Sequence, residues 1–402
     1  MNNIVLIQIS GDDSPGLTAS LMEVLAQFDV EILDIGQAVV HNTLSLAMLV
    51  KIGPGEDGVL KEVLFHLHKA GLNARFTPVD DDEYLRWVGG RGKSLYVITV
   101  FGREVTPDHM ARVAKVISGH GLNIDEIHRQ SGRVPLDPAL DQHRRCVELV
   151  VRGEPRDEHT MKSAFMEISH ESGVDIAFQR NNVFRRNRRL VVFDMDSTLI
   201  QHEVIDELAK EAGVGEQVAA ITESAMRGDI DFKESFRQRL ALLKGLDASV
   251  LETIAQRLQL TEGTERLFAN LKALGYKTAI VSGGFTFFGQ HLQQKLGIDY
   301  VYANELEITD GRVTGRVAGE IIDGQRKAEL LKEIAVKEHI NLEQVIAVGD
   351  GANDLPMLEA AGLGIAFHAK PIVKANARQA ISTLGLDGIL YLIGLRDYEI
   401  LN

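Results

Sequence analysis

A short apolar run that ends in two acidic residues constrains the fold of this chain more than any other feature. Residues 190–193 read Leu-Val-Val-Phe, and Asp194 and Asp196 follow directly. An apolar run of this length and composition is typical of a strand buried on both faces of a parallel sheet. Because a protein core does not accept two unpaired carboxylates, the strand must open at Asp194 onto the edge of the sheet. The chain is therefore expected to contain an α/β fold with a polar site at this edge.

Two further apolar runs also end in polar residues. Residues 278–281 lead into Ser282 and two glycines, a hydroxyl followed by bare backbone that suits a phosphate cradle. Residues 345–348 lead into a loop with Asp350 and Asp354, which are hard oxygen ligands of the kind that Mg²⁺ prefers. In open parallel sheets ligands bind outside the carboxyl ends of the strands, so one site could gather all of these groups.

The charges in this predicted site indicate a class of chemistry. Lys327 lies at the start of a helical pattern. A cation is unfavourable there because the helix dipole places positive charge at the N-terminus, so a bound anion would explain why a lysine occupies this position. A carboxylate attacks phosphorus well only if another group handles the proton of the leaving oxygen and a cation cancels the repulsion between two anions. Of Asp194 and Asp196, one can attack phosphorus and the other can handle the proton. The pair therefore predicts phosphoryl transfer.

These motifs resemble those of the haloacid dehalogenase superfamily, and in their detail those of its phosphoserine phosphatases. The resemblance covers about residues 186 to 395, and it implies a Rossmann-like parallel sheet with a helical cap near residues 201–262. The matching motifs, in chain order, are Asp194-Met195-Asp196-Ser197-Thr198, Ser282-Gly283-Gly284, Lys327 and Gly349-Asp350-Gly351-Ala352-Asn353-Asp354.

The resemblance also implies a role for each motif residue. Asp194 would be the nucleophile that becomes an aspartyl phosphate, and Asp196 the acid for the departing alkoxide and then the base for water. The Asp194 and Asp350 carboxylates and the main-chain carbonyl of Asp196 would bind Mg²⁺, while Asp354 would orient a water on the ion. The residues implied to hold the phosphoryl group are Ser282, Gly283, Lys327 and Asn353.

The stretch after the first motif is predicted to be helical and to choose the substrate. Phe232, Phe236 and Leu243 form an apolar stripe that Arg239 interrupts. The spacing alone leaves two interpretations open, a guanidinium that reaches out to solvent at the rim or a fork that grips a carboxylate. By resemblance, Arg239 would hold the carboxylate of O-phospho-L-serine. Glu203, otherwise an ordinary acidic residue in a helix's first turn, would hold the ammonium, and Met226 and Phe232 would close the pocket.

The first 180 residues show the order β-α-β-β-α-β twice, which predicts two ferredoxin-like modules in tandem. Both modules resemble ACT domains, which bind small amino acids, and the resemblance rests on strand order and on the loop at residues 11–17. In the second module Asp108 stands where the first has Gly16, which disfavours ligand binding by that module. The expected domains are 1–84, 92–181 and 186–402. The modules are predicted either to sense an effector, with L-serine as the hypothesis, or to pair sheets in a homodimer.

Composition narrows the class of protein further. The 402 residues carry 43 basic and 57 acidic side chains, a net charge of −14, which disfavours nucleic acid or anionic lipid as a partner. The single cysteine, Cys146, predicts a reducing compartment such as the cytoplasm, and we expect neither a signal peptide nor a membrane span. Two charged runs, at 80–83 and 185–189, are predicted to be exposed, the second as a solvated linker.

The predicted function is Mg²⁺-dependent hydrolysis of O-phospho-L-serine to L-serine and phosphate, the last step of serine biosynthesis. Two alternatives use the same sequence features. A phosphotransferase would move the phosphoryl group to another alcohol such as homoserine, and a catalytically inactive protein would act only as an amino-acid sensor.

Overall fold

The amino-terminal module is a four-stranded antiparallel sheet with two helices on one face, in the strand order β2-β3-β1-β4. The computed structural model describes residues 3–56, 58–89, 94–227 and 229–401, except for the Met226 side chain. Residues 1–93 and 94–402 form two separate compact units. The elements of the first unit are β1 (Asn3–Asp12), α1 (Leu17–Leu25), β2 (Val30–Val40), β3 (Thr43–Ile52), α2 (Val59–Lys69), β4 (Asn73–Val79) and α3 (Asp81–Gly89).

Alternation of side chains builds the core of this module. In β3, Leu44, Leu46, Met48 and Val50 are buried and face the helices, while the residues between them are more exposed, as a strand with one covered face requires. The predicted order of elements is confirmed. The acidic run at 80–83 is exposed as expected, but it opens the helix α3, which the sequence analysis did not predict.

The second module has the same order of elements and lies within the second unit. Its sheet order is β6-β7-β5-β8, again with two helices on one face. The predicted domain limits at residues 1, 92 and 402 lie outside the described residues, and the other limits stay predictions. The elements are β5 (Leu95–Gly102), α4 (Pro107–Gly119), β6 (Asn123–Arg129), β7 (Arg145–Arg152), α5 (Glu158–Ser172) and β8 (Asp175–Arg180).

The rest of the second unit is a seven-stranded sheet with the order β12-β11-β10-β9-β13-β14-β15. All neighbouring strands are parallel except the β11–β12 hairpin, and the apolar run at 190–193 is the central strand. The predicted fold class, including a helical cap between β9 and β10, is confirmed. The elements are β9 (Leu190–Phe193), α6 (Val204–Glu211), α7 (Gly215–Met226), α8 (Phe232–Ala241), α9 (Ser249–Arg257), α10 (Thr264–Ala273), β10 (Lys277–Phe285), α11 (Thr286–Leu296), β11 (Tyr300–Thr309), β12 (Arg312–Ala318), α12 (Gly324–Lys337), β13 (Val345–Gly349), α13 (Leu355–Ala360), β14 (Leu363–Phe367), α14 (Pro371–Asn376), β15 (Gln379–Ile381) and α15 (Ile389–Leu392).

The second module packs directly on the seven-stranded domain through the sheet face that its own helices leave open. Phe101, Cys146 and Ala177 on that face are fully buried in the same apolar core as the residues of the larger domain. The side-chain amide of Gln379 in β15 exchanges two hydrogen bonds with the backbone of Phe178 in β8. The second module and the larger domain therefore share one core.

The expectation of a solvated linker at residues 185–189 is wrong for two of its arginines. Arg185 is 1% exposed and forms an ion pair with Glu148 of β7, which is 2% exposed. Arg188 is also buried and donates to the carbonyl oxygen of Glu343. Because a buried guanidinium is tolerated only with partners, Arg185 ties this segment to the second module and Arg188 ties it to the larger domain, and only their neighbours face solvent.

One class of element is missing from the part of the chain that the structure describes. None of its helices combines the length and the apolar character needed to cross a bilayer.

Candidate active site

The two acidic residues after β9 lie on a tight turn at the centre of the sheet edge. The Asp194 N–H donates to the carbonyl oxygen of Val348 (2.9 Å), which continues the parallel pairing one residue beyond the strand. Ser197 then adopts a left-handed conformation with φ of 57°, and Oδ1 of Asp196 accepts from the N–H of Val204 (3.0 Å). Both carboxylates are consequently held and largely buried, at 6% and 8% exposure.

Lys327 connects two of the strand ends. It lies in the first turn of α12, whose N-terminus is capped by Asp323, and its side chain is fully buried. Its Nζ donates to Oδ1 of Asp194 and to Oδ1 of Asp354, both at 2.7 Å. Burial alone would lower the pKa of Lys327, but the two carboxylates outweigh it and raise the pKa above its usual value. The ammonium therefore stays charged between its two partners.

Three carboxylates converge on one point at this edge. Oxygens of Asp194, Asp350 and Asp354 lie within 4.8 Å of one another. Burial, followed by the neighbouring carboxylates, raises the pKa of Asp194 to about 7 and that of Asp350 to about 8. With Lys327 as the only cation in direct contact among the described residues, the three groups carry two excess negative charges when ionised.

This cluster fits a divalent cation with oxygen ligands, such as Mg²⁺. Both oxygens of Asp354 are already engaged, one by Lys327 and the other by the Gly351 N–H (2.9 Å). Oδ1 of Asp350 accepts from the hydroxyl of Thr198 at 3.3 Å, which leaves its other oxygen free of protein donors in the described residues. Asp194 and Asp350 are thus the residues that could bind the ion directly, and Asp354 is placed to orient the groups around it.

The end of β10 supplies a cradle with no room for side chains. Ser282 is fully buried, and its Oγ accepts from the N–H of Gly284 at 2.9 Å. A Cβ added to Gly284 would lie 2.4 Å from Oδ2 of Asp196, and one added to Gly283 would lie 3.2 Å from the Phe232 ring. Any side chain at Gly284 would therefore displace the acid, so the backbone must pass here without one.

Asn304 is part of the site but was missed by the sequence analysis. This residue of β11 is 2% exposed, donates to the carbonyl oxygen of Gly283 at 2.8 Å and accepts from the N–H of Ile322 at 2.9 Å. It therefore fixes the end of β10 just after Ser282. An amide placed among the apolar residues of a strand was the available signal, because a buried amide requires partners.

The cap helices carry the predicted substrate residues over this edge. Phe232 contacts Gly283, and Lys233 Nζ lies 2.8 Å from Oδ2 of Asp323, so α8 rests on the core. Arg239 is half-buried, and its Nε has no hydrogen-bond partner among the described residues. Burial lowers the pKa of Arg239 against the opposing effect of Glu203. This buried donor therefore does not behave as a guanidinium that reaches out to bulk solvent.

Glu203 faces the same region from the start of α6. Its Oε1 accepts from the hydroxyl of Ser197 at 2.8 Å. Glu203 is exposed as a residue, yet partial burial of its carboxyl group raises its pKa, an effect that the nearby Arg239 opposes. The two cap side chains therefore lie in the same region.

The structure brings nearly all the predicted site residues to one edge of the sheet. Asn353 is half-buried on the loop with Asp350, where its Oδ1 would lie 2.3 Å from a Cβ on Gly351. The Met226 side chain lies outside the described residues, so its predicted place in the pocket stays a prediction. The residues gathered at the edge or on the cap above it are Asp194, Asp196, Glu203, Phe232, Arg239, Ser282, Gly283, Lys327, Asp350, Asn353 and Asp354.

Three protein families match the chain in the order of its modules. The haloacid dehalogenase-like hydrolase family matches residues 191–359. Two ACT-domain families match residues 3–77 and 94–179, one in each ferredoxin-like module. Both families to which the sequence analysis found a resemblance are thus confirmed.

Relatives match over almost the entire length. The phosphoserine phosphatase of Streptomyces coelicolor is 42% identical over 98% of this chain and 93% of its own length. The phosphoserine phosphatase SerB2 of Mycobacterium tuberculosis is 40% identical over 98% and 94%, respectively.

Among solved structures, a probable phosphoserine phosphatase from Vibrio cholerae in unliganded form matches with a TM-score of 0.58 and 36% identity, over 76% of this chain and 87% of its own. A hydrolase of the haloacid dehalogenase family from Salmonella enterica matches with a TM-score of 0.62 and 34% identity, over 74% and 99%.

Proposed function

The chain belongs to the phosphoserine phosphatases of the haloacid dehalogenase-like hydrolases, and we propose that it hydrolyses O-phospho-L-serine through a phosphorylated Asp194. The observation that carries the proposal is the buried Lys327 ammonium between Asp194 and Asp354, with Asp350 in the same cluster. That arrangement holds one carboxylate in place and leaves its second oxygen for attack on phosphorus. The products are L-serine and inorganic phosphate.

The first step forms a bond between the free oxygen of Asp194 and phosphorus and breaks the bond from phosphorus to the serine oxygen. Lys327 and the cradle at Ser282 hold the phosphoryl oxygens during this exchange. Mg²⁺ held by Asp194, Asp350 and the main-chain carbonyl of Asp196 would neutralise the charge that otherwise repels an anionic substrate from an anionic nucleophile.

Asp196 is placed to manage the proton. Burial, followed by the charges of Glu203 and Asp194, raises the pKa of Asp196 well above its usual value, which favours its protonated form. Its Oδ1 is engaged by Val204, while Oδ2 faces the bare backbone at Gly284. It would donate this proton to the departing serine oxygen. It would then accept one from a water that attacks phosphorus and releases phosphate, which restores Asp194.

Arg239 and Glu203 are proposed to select phosphoserine among phosphate esters. A guanidinium can grip the substrate carboxylate, and Glu203 can accept from its ammonium. Both side chains lie on cap segments, and the Nε of Arg239, which has no partner among the residues that the structure describes, supports a ligand there. The cap would therefore bind the amino-acid end of phosphoserine, while the core binds its phosphate.

Replacing Arg239 by alanine is expected to damage phosphoserine hydrolysis far more than hydrolysis of an aryl phosphate, because only phosphoserine carries a carboxylate. Loss of a charge-assisted hydrogen bond of about 1.5–3 kcal/mol predicts a fall in kcat/KM of roughly ten- to a hundredfold for phosphoserine. Steady-state kinetics on both substrates measure this ratio. Arg237→Ala, on the exposed face of the same helix, is the control. Equal losses on both substrates would overturn the carboxylate-binding role.

Removal of divalent ions is expected to abolish phosphate release, and added Mg²⁺ is expected to restore it, because among the described residues the buried Asp194 and Asp354 and the half-buried Asp350 face one ammonium. The measurement is phosphate release across a panel of small phosphomonoesters before and after chelation, with homoserine present in one set. Phosphoserine should be the best substrate, and each serine released should be matched by one free phosphate. Turnover that survives chelation would contradict the metal role. Phosphohomoserine formation would favour the phosphotransferase, and no turnover on any ester would favour an inactive sensor.

We further propose that this reaction is the last step of serine biosynthesis in the cytoplasm, and that the first module makes the protein a homodimer which L-serine regulates. The edge strand β2 carries the exposed apolar side chains Ile32, Ile35 and Val39 on one face and Val40 on the other, and its free edge is one that pairing with a second copy would cover. Gly16 precedes α1 with φ of 91° and open space around it, where an amino acid could approach the backbone.

Deleting residues 1–93 tests both roles of the first module. Light scattering should show that the molar mass falls from two copies to one, and L-serine should no longer change the rate of phosphate release. The full chain under the same conditions is the control. A deletion variant that remains dimeric would refute the dimer role, and identical serine titration curves would refute the regulatory role.

A further inference from the structure

The cap joins the core through two chain segments that pair with each other. Ile200 and Leu260 form an antiparallel bridge. The N–H of Gln201 donates to the carbonyl oxygen of Gln259 (3.0 Å), and the N–H of Thr261 donates to that of Leu199 (2.9 Å). We call residues 199–201 and 259–263 the cap hinge. Any movement of the cap relative to the core must pass through this short ribbon.

The cap hinge rests on a turn near the carboxyl terminus. The carbonyl oxygen of Glu262 accepts from the N–H of Leu386 at 2.8 Å. Gly263 has φ of 79°, and a Cβ on it would lie only 2.3 Å from Oδ1 of Asp387. Because the two segments touch through backbone and a nearly buried carboxylate, the position of Asp387 fixes the position of the hinge.

Two arginines of the second module contact the cap hinge and the turn at Asp387. Arg144, just before β7, forms an ion pair with Asp387, which also binds Arg266 of α10 at 3.0 Å. Arg103, in the loop between β5 and α4, places Nη2 2.5 Å from Oε2 of Glu262. The module thus contacts the cap hinge both directly and through Asp387.

We propose that Arg103 and Arg144 are positioning residues that set the cap for phosphoserine by holding the cap hinge. The proposal rests on the proposed function, because Arg239 and Glu203 can read the substrate only when the cap lies over the core. It also gives a role to the loop at residues 102–108, where Asp108 replaces the glycine of the first module's loop. In the second module this loop would hold the cap hinge in place through Arg103.

The two contacts differ in how they can be tested. Asp387 is 5% exposed in its side chain, so truncating Arg144 would leave a buried carboxylate short of a partner and could unfold the unit. Arg103 and Glu262 are 44% and 58% exposed, so reversing either charge is compatible with folding. The test therefore uses reversal and exchange of the exposed pair.

The experiment compares Arg103→Glu, Glu262→Arg and the double exchange with the full chain. We expect Arg103→Glu to raise KM for phosphoserine about three- to tenfold, because a repulsion near 1 kcal/mol at the hinge weakens the closed cap. KM for an aryl phosphate, which has no group for Arg239 or Glu203, should change less than about twofold. The double exchange should return KM for phosphoserine close to its original value. The matched control is Arg112→Glu, which breaks the exposed Arg112–Glu171 pair between α4 and α5 of the same module.

A readout without catalysis separates this proposal from the proposed function. Hydrogen exchange of peptides that cover residues 196–203 and 258–264 should be faster in Arg103→Glu, unchanged in Arg112→Glu and restored in the double exchange. If hydrogen exchange is faster in Arg103→Glu but the full chain does not hydrolyse phosphoserine, the hinge contact is supported and the proposed function is refuted. Unchanged exchange and unchanged KM in Arg103→Glu, equal KM changes on both substrates, or no recovery in the double exchange would overturn the hinge proposal.

Discussion

Replacing Asp194 by asparagine is expected to lower the rate of phosphoserine hydrolysis by at least about 10⁴-fold, because the amide cannot form the phosphoenzyme. The fold should survive, since the amide oxygen can still accept from Lys327 and the substitution keeps the size of a buried side chain. The measurement is kcat for phosphoserine with saturating Mg²⁺, together with the melting temperature. Asp229→Asn makes the same change at an exposed position of the cap and should leave kcat within about twofold.

A variant Asp194→Asn that keeps a near-native rate would contradict the nucleophile assignment. A variant that loses activity together with its folded structure would not support it either. In that event the second aspartate provides the check: Asp196→Asn should leave Asp194 intact and still lower kcat, by about 10²- to 10⁴-fold, through loss of acid–base catalysis.

Deleting residues 1–180 is expected to leave no stable, active phosphatase, whereas deleting residues 1–93 is expected to leave a folded and active one. The second module and the seven-stranded domain share an apolar core that includes Phe101, Cys146 and Ala177. The larger deletion would expose this core to water and would remove Glu148, the ion-pair partner of Arg185. Exposed apolar surface costs about 25 cal/mol per Å², and a typical domain is stable by only about 5–15 kcal/mol.

The two deletions serve as controls for each other. Thermal unfolding and phosphate release should show cooperative melting and near-native kcat for residues 94–402. Residues 181–402 should show aggregation or a lower melting temperature by many degrees. A well-folded chain 181–402 with full activity would contradict the shared core, and it would also remove the basis for the hinge proposal. The substitution Glu148→Gln is a milder test of the same interface, since it removes only the charge opposite Arg185.

The strand-end motifs could be predicted from the sequence because local patterns determine them. The apolar runs before Asp194, Ser282 and Asp350 mark buried parallel strands, and the connection rules of such sheets bring their ends to one edge. The repeated order of helices and strands in the first 180 residues likewise followed from alternation and glycine signals. The fold class was therefore accessible before any coordinates.

Contacts between distant segments could not be predicted in this way. The partner of Arg185 lies in β7, and nothing in the basic run itself distinguishes a buried arginine from its exposed neighbours. One signal was available in β5, where residues 95–101 are apolar almost throughout rather than alternating, which is typical of a strand covered on both faces. Read in that way, the strand indicates that the open face of the second module is buried against another domain.

The site shows the same division between local and long-range information. Asp194, Lys327 and Asp354 were predicted individually, but the two hydrogen bonds that Lys327 donates depend on how α12 packs against the sheet. Asn304 was missed because its role is to satisfy backbone groups of two distant segments, the end of β10 and the stretch before α12. Residues proposed to contact the substrate can thus be recognised from sequence motifs. Residues that hold those side chains in place are marked in the sequence at most by an unexpected polar residue in an apolar strand.

Trapping the phosphoenzyme tests the central claim most directly. The enzyme is mixed rapidly with phosphoserine and Mg²⁺, quenched in acid within a single turnover and digested, and the peptides are weighed by mass spectrometry. The account predicts one phosphoryl group on the peptide that contains Asp194, present while serine is released and absent from the Asp194→Asn variant. Serine release with no phosphorylated peptide at any time, or a phosphoryl group on a different residue, would contradict it.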